Sequence, residues 1–140
     1  RQEELAPEIR VEQIVLIGEL YNELAKYEMA ERWLNQALKS METVQDGRKK
    51  WQLHILREKG LSLFEQDKHS QALAANLKVL YLDRSLSEQK SYALNLRIAS
   101  SYAQLERSND AMAIYRKMLK KFKSAELQKE VVKLLNSLTQ

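Results

Sequence analysis

Residues 11–37 read VEQIVLIGELYNELAKYEMAERWLNQA. Ile14, Ile17, Gly18 and Tyr21 share one side of a helix, because they recur at helical spacing. A short polar break follows. Ala30, Leu34 and Ala37 then share one side of a second helix. Gly18 and Ala30 carry almost no side chain, so two helices can approach closely there. The stretch predicts a helical hairpin with a tight crossing.

Moving outward, the same spacing returns twice. Gly18 to Ala30, Gly60 to Ala72 and Ala99 to Ala111 are each 12 residues apart. Ile14, Leu56 and Asn95 stand four residues before the first small position, and Tyr21, Leu63 and Tyr102 stand three after it. Leu34 and Ala37, Asn76 and Val79, and Tyr115 and Met118 follow the second small position. One hairpin cannot bury its apolar face alone, so stacking must supply the core. The predicted fold is all-α, a helical-hairpin solenoid of three helix pairs plus a C-terminal capping helix. The repeats span about 9–44, 48–84 and 86–122, and the capping helix spans 124–138.

Local signals refine this. Pro7 suits a first helical turn. The stripes are Ile14, Ile17, Tyr21 and Leu24 on the first helix and Leu94, Ile98, Tyr102 and Leu105 on the fifth. Gln45, Asp46 and Gly47 break the pattern, with Asp46 as a cap. Ser85 and Glu88 have the spacing of a capping box, and Ser124 can cap the seventh helix. Trp33 and Trp51 read as packing residues.

The first pair, through Ile14, Ile17, Gly18, Tyr21, Ala30, Leu34 and Ala37, resembles the tetratricopeptide repeat. The second keeps Leu56, Gly60, Leu63 and Ala72 but has Lys59 and Asn76 at apolar positions. The third keeps Ile98, Ala99, Tyr102, Ala111 and Tyr115 but has Asn95 and Met118. The period is 42 and then 39 residues, against roughly 34 in that family. Glu42, Arg84 and Lys123 close the units where the family often has proline. The longer period is similar to the extended repeats of kinesin light chains and bacterial peptide-pheromone receptors.

Composition bounds the function. A chain of 140 residues is one domain or a short array behaving as one. One proline and three glycines favour long helices. The lack of cysteine excludes disulfides, thiolate metal sites and cysteine catalysis, and leaves the compartment open. No apolar run reaches the roughly 18 residues of a membrane span. The start, RQEELAPE, has no signal-peptide pattern and no initiator Met, which is the expectation for a fragment or processed form of a larger protein. The cytoplasm is favoured, with the periplasm as the alternative, and the general look is bacterial.

Chemistry is sparse. The glycines at 18, 47 and 60 stand singly and make no phosphate loop. His54 and His69 lack a metalloprotease spacing. Glu19 and Glu23 share a helix face but have no catalytic companion. Arg116, Lys117, Lys120, Lys121 and Lys123 interleave with Met118, Leu119 and Phe122, so they read as a solvated face rather than a nucleic-acid platform. No enzyme activity, cofactor or metal is expected.

The resemblance implies a concave wall built by the first helix of each pair. Its inward positions fall on Glu12, Val15, Glu19 and Asn22, then His54, Arg57, Leu61 and Phe64, then Ala93, Leu96, Ser100 and Ala103. Such a mixed wall suits an extended peptide or a partner's helix. Family members that bind chaperones clamp a C-terminal carboxylate with Lys and Asn. Val15 and Glu19 stand at two of those places, so that ligand class is not expected. The expected role is therefore a protein-interaction scaffold or adaptor. The alternatives are a peptide-sensing domain of a bacterial regulator and a self-assembling scaffold. Net charge is −5 over residues 1–46, +4 over 47–106 and +5 over 107–140, which leaves room for weak homo-oligomers.

Overall fold

The computed structural model describes residues 6–44 and 48–139, apart from the side chain of Glu8. Gln45, Asp46 and Gly47, the predicted break and cap, lie outside the described residues, as do residues 1–5. The elements are α1 (Pro7–Glu23), α2 (Tyr27–Ser40) with a 3-10 turn (Met41–Thr43), α3 (Arg48–Glu65), α4 (His69–Leu82), α5 (Glu88–Gln104), α6 (Ser108–Lys121) and α7 (Ala125–Leu138). Two compact units divide the chain, residues 1–68 and 69–140.

In the first unit α1 packs on α2, α2 packs on α3, and α1 also meets α3. Val11, Ile14, Ala30, Leu34, Ala37 and Ile55 form its core, with Trp33 and Trp51 packed at the edge. The α1–α2 crossing is as tight as the sequence predicts. A Cβ on Gly18 would lie 2.8 Å from Cγ and from Cδ2 of Leu34, and 3.7 Å from the Ala30 carbonyl. Leu34 has no exposed surface, so its side chain has little room to yield.

In the second unit α4 packs on α5, α5 on α6, and α6 on α7. Ala99 and Ala111 are fully buried at the equivalent places. The Phe122 and Tyr92 rings meet edge to face at 5.3 Å between centroids, and both belong to a core with Tyr115, Met118 and Val131. Gln128 ties α7 to the end of α6 by donating to the Leu119 and Phe122 carbonyls, each at 3.0 Å. The polar residues at expected apolar positions fare differently. Asn95 donates to the Ser91 carbonyl one turn back, at 2.8 Å. Asn76 is fully buried, and neither end of its carboxamide has a partner among the described residues, which costs stability.

One turn recurs three times. Ala25, Asp67 and Glu106 have φ of 58°, 60° and 60°. Each stands seven residues after Gly18, Gly60 or Ala99. The next residue donates back to the residue three after the small one: Lys26 to Tyr21 at 2.8 Å, Lys68 to Leu63 at 2.9 Å and Arg107 to Tyr102 at 2.8 Å. This is the left-handed helix stop usually built with glycine. It corrects two predicted core positions. Leu24 and Leu105 fall at the stop rather than inside the helix, and their side chains are 64% and 37% exposed.

Capping also differs from expectation. α5 starts two residues later than a Ser85 cap would require. Ser87 is the N-cap and accepts from the Lys90 amide at 3.2 Å, while the Ser85 hydroxyl donates to Asp83 at 2.6 Å. Ser124 occupies the N-cap of α7 without a side-chain cap bond.

Gly18→Ala will lower the unfolding free energy by about 1–3 kcal/mol through overpacking. Ala25→Gly will raise it by up to about 1 kcal/mol, because glycine adopts the left-handed conformation without strain. Urea unfolding of the two variants beside the parent checks both signs.

Candidate functional site

Two rows of side chains follow from helical spacing. Glu12, Val15, Glu19 and Asn22 lie along α1, and His54, Arg57, Leu61 and Phe64 along α3. Because α1 meets α3, the rows come together within the first unit. Glu19 Oε1 contacts His54 Nε2 directly, and the two side chains keep 27% and 29% of their surface exposed. The Trp51 ring stacks on the imidazole at 5.9 Å and an interplanar angle of 24°. Glu12 is exposed, and Arg57, Leu61 and Phe64 are half-buried. The surface thus offers carboxylates, an imidazole, a guanidinium and two apolar side chains.

Two residues of the expected wall serve the fold instead. Val15 is 1% exposed and belongs to the first core, because α1 turns that position toward α2 and α3. Asn22 is 6% exposed and donates to the Glu58 carbonyl at 3.1 Å and to Glu58 Oε1 at 3.2 Å, so it braces α1 on α3. Leu96 and Ser100 lie on α5 in the second unit, both half-buried, and Leu96 packs against that unit's core.

A brace between α2 and α3 had no signal in the sequence. Gln66 donates to the Tyr27 carbonyl at 3.3 Å and to Glu31 at 3.0 Å, and Lys68 pairs with Glu31 at 2.8 Å. Both Gln66 and Lys68 are placed by the left-handed stop at Asp67. Burial alone would raise the Glu31 pKa. The hydrogen bonds from Lys68 and Gln66, with the charges of Lys68 and Lys59, outweigh burial and hold the carboxyl below its ordinary 4.5.

The basic run Arg116, Lys117, Lys120, Lys121 and Lys123 is exposed throughout. His54 and His69 are both engaged with protein groups, Glu19 and Ser101 respectively. Among the described residues no group of three or more His, Asp or Glu is placed to hold a metal ion. No helix among them is long and apolar enough to cross a membrane.

The sequence profile of the family described as Tetratricopeptide repeat matches residues 14–40 and 92–120. These segments cover most of α1 with α2, and most of α5 with α6. No curated protein and no solved structure matches the chain.

The depressed Glu31 carboxyl stabilises the first unit while it is ionised. That contribution is complete above the ordinary value of 4.5 and is lost as pH falls through Glu31's own lower value. Glu31→Gln will therefore melt earlier than the parent at neutral pH, and the gap will close in acid. Melting curves across that range check it.

Proposed function

The chain carries tetratricopeptide repeats at residues 14–40 and 92–120, a family whose repeats generally mediate protein–protein interaction, and from that premise we propose a non-enzymatic scaffold that binds a peptide or protein segment on the α1–α3 wall. The observation that carries this reading is the partly exposed Glu19–His54 contact beside Arg57, Leu61 and Phe64. Peptide ligands need two things from such a wall. Charged and hydrogen-bonding groups fix the register of the backbone, and apolar side chains supply burial. Glu12, Glu19, His54 and Arg57 are suited to the first role, and Leu61 and Phe64 to the second. Leu96 and Ser100 stand at the corresponding register on α5 of the second unit.

The braces matter for this reading. Asn22 on Glu58 and Gln66 on Glu31 hold α3 against α1 and α2 before any ligand arrives. A wall ordered in advance leaves less conformational entropy to be lost on binding. The role is holding partners together, and no cofactor enters it.

A peptide selected on the parent chain from a random array will bind Arg57→Glu and Leu61→Ser at least about tenfold more weakly, a difference of about 1.4 kcal/mol. Fluorescence titration measures this, with melting curves to confirm that both variants fold. Unchanged affinity in both would move the site off this wall.

A further inference from the structure

The third repeat departs from the other two at one place. Asn95 stands where the first and second repeats have Ile14 and Leu56. It is only 7% exposed. A buried carboxamide is costlier than an aliphatic side chain unless it serves a partner. A polar residue set against the apolar pattern of its fold is a mark of functional sites. Two lysines accompany it. Lys121 stands where the other repeats have Ser40 and Leu82, and Lys117 where they have Gln36 and Lys78. Neither of the other repeats combines an asparagine with two lysines at these positions.

The structure brings the three together. A pocket of about 150 Å³ opens in the second unit, lined by Leu80 of α4, Asn95 of α5, and Lys117, Met118, Lys121 and Phe122 at the end of α6. Ser91, itself buried, fixes two of the polar groups. Lys121 Nζ donates to Ser91 Oγ at 3.0 Å and lies 5.5 Å from the Phe122 ring centroid, and Asn95 Nδ2 donates to the Ser91 carbonyl at 2.8 Å. An ammonium has three protons and a carboxamide nitrogen two, so each keeps a donor after Ser91 has taken one. No acidic side chain lines the pocket. Lys117 and Lys121 have no carboxylate partner among the described residues. Like charges one helical turn apart repel, and an anion between them would relieve the repulsion.

We propose that this pocket binds a small organic acid, one carboxylate on an apolar body about the size of a benzene ring. The carboxylate follows from the donors. Lys117 and Lys121 supply charge at the rim, and Asn95 supplies an amide proton beneath them. Hydrogen bonds between charged groups of this kind are the strong ones. The apolar body follows from the walls. Leu80, Met118 and Phe122 carry no polar group to meet the oxygens of an inorganic anion, whereas burial against an aliphatic or aromatic body is favourable. The size follows from the volume, since a cavity of roughly 150 Å³ holds benzene. The pocket lies wholly in the second unit, and the proposal does not rest on the α1–α3 wall.

The probes are benzoate and hexanoate, titrated into the 140-residue chain and followed by backbone-amide NMR. Both are expected to shift the amides around Ser91, Asn95 and Lys121 saturably. The neutral amides of the same acids should bind at least about tenfold more weakly, because they lose the charged hydrogen bonds. Asn95→Leu restores the residue type of the second repeat and fills the pocket. It should melt no earlier than the parent, yet bind benzoate at least about tenfold more weakly. Lys117→Gln with Lys121→Gln should reduce benzoate to the affinity of benzamide. If that double variant melts early, Asn95→Leu carries the reading alone. Lysines that serve only as favourable charge at the C-terminal end of α6 predict a lower melting temperature in the double variant and no saturable binding by the parent. The proposal is overturned by that result, by equal binding of acid and amide, or by benzoate binding that survives Asn95→Leu. It is also overturned by inorganic phosphate displacing benzoate at equal concentration, which would make the site one for any anion. A peptide ending in phenylalanine that binds tighter than benzoate would overturn the free acid as ligand.

Discussion

The contact between Gly18 and Leu34 sets the first unit. Leu34 occupies the space where any other residue at 18 would carry its Cβ. α1 and α2 therefore lie at a separation that only a glycine permits. With the helices that close, Ala30, Leu34 and Ala37 lose all their exposed surface, and burial of a leucine contributes about 1.5–3 kcal/mol. α3 can then add Ile55 to the core formed by α1 and α2. The same placement of α3 brings His54 to Glu19 and Glu58 to Asn22. The candidate site thus depends on a missing side chain on the buried side of α1, the helix that carries Glu12 and Glu19.

A second constraint works with the first. Each left-handed stop ends the first helix of a pair, and α2, α4 and α6 each begin two residues after it. The spacing of twelve residues between small positions is the joint result. It is the length needed to finish one helix, make this stop and bring the next helix back to the crossing. That is why the spacing is constant while the period between repeats is not.

The parts of this fold legible in the sequence are those where geometry demands a residue type. A close crossing demands Gly or Ala, and Gly18, Ala30, Ala99 and Ala111 are all buried at crossings. The helical stops were not legible. Their positions hold Ala25, Asp67 and Glu106, of which Asp67 alone is a type that visits the left-handed region with any frequency, and Leu24 and Leu105 consequently looked like core. The wall was half legible. Family register placed Glu19 and His54 on one surface, where they do meet. It also placed Val15 there, yet a β-branched apolar residue beside Ile14 gains more from the core than from solvent. Braces such as Gln66 on Glu31 join residues far apart in sequence, and only the packed helices bring them together.

The outward faces of α1 and α7 differ in chemistry. α7 turns Leu127, Val131, Leu134 and Leu138 inward and leaves Lys129, Lys133 and Asn136 exposed. Its one large apolar residue outward is Val132, 42% exposed. That division gives α7 an apolar side toward its unit and a largely polar side toward solvent. α1 is built the other way, with an isoleucine and leucines in the row where α7 has lysines. Nothing in the first core uses Leu16 or Leu20, since Val11, Ile14 and Val15 already fill it. Leu16 and Leu20 keep 56% and 51% of their surface exposed. α1 is therefore apolar on both sides, toward the first core and toward solvent.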